Sequence, residues 1–263
     1  MTIQEAKPTF PTIRQLPLIA IIMYVLALVA WIAIIQRWLP MPGGEMEMQM
    51  SDPGAPEAMA LGSGSLGVGL YLFMWGTMMI AMMYPSTVPL FRLYSSTLGE
   101  ISRSAKAARL SVLLVVYTLV WTLTGLVPLA VNTVVPLASL AGNHGALLLG
   151  GVLVLLGVYQ LSPFKYQCLD KCRSPFEFLM IYRRSGIRGA ANMGFRFSLF
   201  CVGCCWALFA LMVAVGSMNI LWMALITVVL SLERTVSWGP HLARGIGVLA
   251  SVSGVVLIVA SML

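Results

Sequence analysis

Apolar runs close to or above the roughly 20 residues that an α-helix needs to cross about 30 Å of hydrocarbon recur along this chain. The first extends from about Pro17 to Trp38 and includes the uncharged stretch IIMYVLALVAWIAII. Further runs lie at about Leu66–Tyr84, Leu110–Pro136, Ala146–Leu161, Phe197–Gly216 and Ile220–Leu232, and from Gly245 to the C-terminus. Inside lipid, backbone N–H and C=O groups have no water to bond, so such runs must be helices. A β-barrel would need short alternating segments, and these do not alternate. Of the 263 residues, 59% are hydrophobic and 10% charged, too few charges to clothe a soluble domain of this length. The reading is an all-α, polytopic membrane helix bundle of about seven transmembrane helices. The first run is too long for a secretory leader and reads as a retained anchor.

The net charge of +7 would suit a nucleic-acid binder if it formed a stripe, but the basic residues sit in short loops between spans. Lys7 and Arg14 precede the first run, and Arg92, Arg103, Lys106 and Arg109 follow the second. Lys165, Lys171, Arg173, Arg183, Arg184, Arg188 and Arg196 follow the fourth, and Arg234 and Arg244 the sixth. With seven crossings, 15 of the 16 basic residues fall on one side and only Arg37 on the other. The positive-inside rule then places the N-terminus in the cytoplasm, the C-terminus outside, and the chain in a bacterial inner membrane. Three regions follow: a tail and first anchor (1–38), a Met-rich extracytoplasmic loop (39–65), and a six-helix membrane domain (66–263).

The second run carries Met74, Met78, Met79, Met82 and Met83. At spacings of four residues, Met74, Met78 and Met82 form one helical stripe, and Met79 and Met83 a second beside it. Thioether sulfur is a soft ligand suited to Cu(I), and methionine is equally a flexible filler of apolar cores, so the stripe alone fits both roles. The loop before it adds Met41, Met46, Met48, Met50 and Met59 around Glu45 and Glu47, either a copper-collecting segment or a plain linker. Cys201, Cys204 and Cys205 stand at i, i+3 and i+4, on one face of the fifth run. Cys168 and Cys172 are four apart beyond the fourth. In the predicted topology both cysteine groups, with Met82 and Met83, approach the cytoplasmic face, where thiols stay reduced. Sulfur-only coordination favours Cu(I) over Zn²⁺, which usually recruits histidine. His144 and His241 fall in loops and read as ordinary loop residues. Glu233 and Arg234 read as an interfacial ion pair, and Pro85 as the end of the second span.

Several segments together resemble an uncharacterised bacterial family described as predicted metal-binding integral membrane proteins. They are WGTMMIAMMYPS at 75–86, YQLSPFK at 159–165, CLDKCRSP at 168–175, CVGCCW at 201–206, GSMN at 216–219, and Trp222-Met223. The resemblance covers roughly residues 66–235 and implies a bound metal without naming it.

The candidate metal ligands are thus Met74, Met78, Met82, Met83, Cys168, Cys172, Cys201, Cys204 and Cys205. The favoured function is Cu(I) binding or trafficking, with the bilayer as surroundings and a metallochaperone or a membrane complex as partner. A thiol–disulfide relay and a non-catalytic accessory subunit are the alternatives. No P-loop, haem-ligating His pair or mid-span carboxylate marks an ATP-driven pump, a haem protein or a proton-coupled carrier. No catalytic residue is assigned.

Overall fold

The computed structural model describes residues 18–38, 52–99 and 101–263, and every regular element in them is helical. The order is α1 (Leu18–Ile35), α2 (Ala55–Gly62), α3 (Gly64–Ser96), α4 (Arg103–Leu123), α5 (Leu126–Val134) and α6 (Leu137–Leu161). It continues with α7 (Pro163–Arg173), α8 (Pro175–Tyr182), α9 (Gly186–Ala214), α10 (Ile220–Thr235) and α11 (Gly239–Met262). Six stretches are long and apolar enough to cross a membrane: α1, α3, α4 with α5, α6, α9 and α11. Helix α10 occupies the place of the remaining expected span but has 16 residues, about 24 Å at 1.5 Å per residue and short of the full hydrocarbon thickness.

Burial ranks the helices. In their apolar windows α3 is 56% and α9 61% buried, whereas the other four long stretches are 17–28% buried. The two helices that carry the methionine stripe and the Cys201–Cys205 group are therefore the centre of the bundle. The peripheral helices turn apolar side chains such as Val115, Leu119, Val252 and Val255 outward, the pattern expected where the surroundings are as apolar as the core.

Helix α3 does not end at Pro85. It continues through Pro85 and Pro89 to Ser96, 33 residues in all. Proline lacks the N–H that would bond the carbonyl four residues back, here that of Ala81. The indole N–H of Trp31 on α1 donates to Ala81 O at 3.1 Å. A neighbouring helix thus satisfies the freed acceptor, which is how a membrane helix tolerates an internal proline. This keeps Met82, Met83 and Ser86 on one continuous helix.

At the periphery α6 and α11 pack through glycines. A Cβ on Gly157 would lie 2.6 Å from Gly247 O and 2.0 Å from Ser251 Oγ, and one on Gly254 would lie 2.6 Å from Gly150 O. Close backbone approach through small residues is the usual adhesive of helices in lipid, where no hydrophobic force separates chain from solvent.

The remaining sequence expectations fall as follows. His144 interrupts α6 with a non-helical φ of −140°, so the regular part begins near the expected Ala146. His241 lies in the first turn of α11 rather than in a loop, and both histidines are exposed. The stretch after the fourth run folds into two short helices, α7 and α8. Lys7, Arg14, Met41, Met46, Met48 and Met50 lie outside the described residues.

Two outcomes follow. Trp31→Phe keeps the aromatic volume but orphans the Ala81 carbonyl, and should destabilise the protein by about 1–3 kcal/mol, read as a lower Tm in detergent. Gly157→Leu forces α6 from α11 and should cost about 1–3 kcal/mol or more, read in the same assay.

Candidate metal centre

The centre lies where the middle of α9 meets α7, the last turn of α10 and α3 at Ser86. Cys201, Cys204 and Cys205 are 0–1% exposed on the inward face of α9. Cys172 reaches them from α7, with its sulfur 3.8 Å from that of Cys204. The Cys204 and Cys205 sulfurs are 3.3 Å apart. Sulfur–metal bonds of about 2.3 Å put two sulfurs on one ion roughly 3.8–4.6 Å apart, so the Cys172–Cys204 pair already has bridging separation. All five cysteines are free thiols. The contacts of Cys172 with the Cys201 and Cys204 sulfurs, and after them burial, hold its thiol well above the ordinary value.

Cys168, one turn before Cys172 on α7, is half-buried and reaches α9 through Gly203. A Cβ on Gly203 would lie 2.8 Å from the Cys168 sulfur, so glycine is what leaves room for that thiol. Burial raises the Cys168 pKa. The Tyr159 hydroxyl donates to the Gly203 carbonyl and ties α6 to the same turn.

Among the sulfurs sits a guanidinium. Arg234, on α10, donates from Nη2 to Cys205 Sγ at 2.8 Å and Cys204 Sγ at 3.3 Å, and from Nη1 to Ser86 Oγ at 3.0 Å. The side chain is buried and its Nε has no hydrogen-bond partner. The expected Glu233–Arg234 pair does not form. Consecutive residues on a helix point about 100° apart and do not face each other. Glu233 instead pairs with Lys165 Nζ at 2.7 Å and accepts from Gln160 Nε2 at 3.0 Å, in a network that is 0–1% exposed. Arg173 of α7 donates to the Glu233 carbonyl and holds α7 under the centre. Tyr117 of α4 completes the wall, its hydroxyl 3.2 Å from Cys201 Sγ.

The methionines divide. Met82 and Met83 precede Ser86, the α3 partner of Arg234, by about one turn. Met78 and Met74 lie about 12 and 18 Å up the helix from Ser86, on the rise of 1.5 Å per residue. All four are 0–1% exposed in one apolar core, so they line a column leading away from the thiols. Among the described residues, no three His, Cys, Asp or Glu side chains are arranged to hold a metal ion as they stand. Two of the cysteine sulfurs instead accept hydrogen bonds from Arg234.

Sequence reasoning grouped the cysteines but gave Arg234 only an interfacial ion pair with Glu233, and passed over Ser86 and Tyr117. A signal for Arg234 was present: an ionisable residue in the last turn of an apolar helix marks function more often than packing. Ser86 ends the WGTMMIAMMYPS segment. Tyr117 carries no local signal.

No curated protein and no solved structure matches the chain. Residues 72–257 match the model of the PpoB2 family, described as a copper chaperone. That match takes in α3 from its third turn through most of α11, and with it every cysteine and Arg234. Covering well over half of the chain, it establishes that this protein belongs to the PpoB2 copper chaperone family.

Proposed function

We propose that the protein is an integral membrane carrier of Cu(I) that holds the ion as cargo on Cys172, Cys204 and Cys205, with Cys201, Met82 and Met83 as neighbouring ligands. The observation that carries this reading is the convergence of α7 and α9 thiols around one buried guanidinium. Membership of a copper chaperone family supports the choice of ion. Thiolate and thioether sulfur bind Cu(I) in preference to hard cations.

The charge balance suits that ion. Two or three thiolates on one Cu⁺ leave a net negative charge, and a buried charge needs a compensating partner. Arg234 supplies it from contact distance. Its guanidinium shifts from the thiols to the edge of the loaded site and remains their counter-ion. The helix termini around Arg234 are anchored independently by the Lys165–Glu233–Gln160 network, so the site keeps its shape through that shift.

In the bilayer, α10 acts as a short seventh crossing and the basic loops lie in the cytoplasm by the positive-inside rule. The thiols then sit at the cytoplasmic leaflet, in a reducing compartment. Cys168, half-exposed and one turn from Cys172, is where an ion passes between the centre and a soluble partner. Met78 and Met74 extend the sulfur path toward the other leaflet.

The test is anaerobic Cu(I) loading of the detergent-purified chain, with stoichiometry read by native mass spectrometry. Wild type should retain copper, and X-ray absorption should report sulfur ligands. Changing Cys172, Cys201, Cys204 and Cys205 together to Ser should remove the tightest-bound ion. A copper-free wild type ends this reading. In-cell thiol trapping separates it from a disulfide relay, because a carrier keeps all five thiols alkylatable while a relay yields a trapped oxidised form. Arg234→Met should weaken Cu(I) binding by at least about tenfold, since a unit charge near 4 Å is worth more than 1.4 kcal/mol at partly buried dielectric. Arg234→Lys should recover part of the loss, in competition with a Cu(I) chelator.

A further inference from the structure

A second buried charge lies far from the thiols, and the copper reading above does not use it. Helix α2 starts at Gly54, whose φ of 75° favours glycine and whose Cβ position would lie 2.6 Å from Leu137 Cβ and 2.7 Å from the Ala138 nitrogen. This tight entry sets Gly54 against the start of α6, α2 packs on α3, and Glu57 in its first turn is 0% exposed. A carboxylate near the start of an eight-residue helix would ordinarily face water.

Two hydroxyls hold one of its oxygens. Tyr71 of α3 donates to Oε1 at 2.8 Å, and Ser217, in the turn between α9 and α10, donates at 2.7 Å. The other oxygen, Oε2, is buried without any hydrogen-bond partner. No ion pair to Glu57 occurs among the described residues. A half-satisfied carboxylate in an apolar core is expensive unless a proton or another cation completes it.

Three thioethers lie close to the Glu57 partners along the chain. Met74 follows Tyr71 by one turn on the same face of α3. Met212 precedes Ser217 on α9, and Met223 follows it on α10. All three are 0–1% exposed and belong to the same apolar core. Three neutral soft ligands and one carboxylate sum to a single negative charge, which neutralises one monovalent soft cation in a medium that cannot screen it. Ca²⁺ and Mg²⁺ take six or more oxygen ligands, more than the Glu57 carboxylate and its two hydroxyl partners provide.

We propose that Glu57, Met74, Met212 and Met223 form a second Cu(I) site at the opposite end of α3 from the thiol centre. It rests on the copper reading for the identity of the ion, shares Met74 with the sulfur path of that reading, and stands on Glu57, Met212 and Met223 for the rest.

The experiment uses the full chain in detergent, titrated anaerobically with Cu(I) against a chelator, and with Ag(I) as a redox-silent probe. The chain with Cys172, Cys201, Cys204 and Cys205 all changed to Ser should still bind one ion, with sulfur and oxygen in its X-ray absorption. Glu57→Gln in that background keeps both hydrogen-bonded neighbours but removes the charge, and should weaken the remaining ion by about tenfold or more. The combined Met74→Leu, Met212→Leu and Met223→Leu variant conserves volume and should abolish it. In the wild-type background either change should lower the stoichiometry from two ions to one. If the four-Ser chain is copper-free while wild type binds one ion, the second site is wrong and the thiol centre stands. If the retained ion ignores both the Gln and the Leu changes, the second site is also wrong. A wild type that binds no copper overturns both.

Discussion

A guanidinium enclosed by protein in a membrane-type core must find partners or destabilise the fold, and Arg234 finds them on two neighbouring helices at once. Its donors reach α9 through two thiols and α3 through Ser86. The preceding residue, Glu233, points the other way into Lys165 and Gln160 and binds α10 to α6 and α7. One turn of α10 therefore joins the two central helices to the peripheral layer. A short helix of 16 residues suffices for this, because its role at that end is set by two oppositely directed charges rather than by hydrocarbon length. Removing either partner alone would leave a buried charge uncompensated, which explains why the site and the fold stand or fall together at this point.

Much of this was legible in the chain. Charge-poor apolar runs specify membrane helices through the backbone's need for internal hydrogen bonds, and that argument needs no tertiary information. The i, i+3, i+4 spacing of Cys201, Cys204 and Cys205 puts three thiols on one face in any helix, and they are together here. What sequence could not give is which neighbour meets that face. Reading Glu233 and Arg234 as a pair took adjacency in sequence for adjacency in space, and a helix separates i and i+1. Reading Pro85 as a terminator was sound locally, but the partner that lets α3 continue is an indole 50 residues away. Glu57 was hidden for the same kind of reason: its segment is rich in proline, glycine and methionine and reads as a loop, and only the packing of α2 against α3 and the turn at Ser217 buries it.

The methionine column gains meaning from what stands at its ends. Leucine would fill the same volume on α3 with better-defined rotamers, so packing does not by itself select thioethers at Met74, Met78, Met82 and Met83. On the copper reading the two ends of α3 differ in a useful way. At one end a lone carboxylate oxygen lacks a positive partner. At the other, thiol sulfurs already have one in Arg234. Between them, neutral thioethers offer ligands without charge, so a monovalent ion held there meets no deep electrostatic well in which to stall. A gradient of ligand strength from carboxylate and thioether to thiolate then gives an ion a downhill path toward the thiols, where Arg234 balances the negative charge of the loaded site. On that reading the ion leaves through Cys168, half-buried and one turn from Cys172.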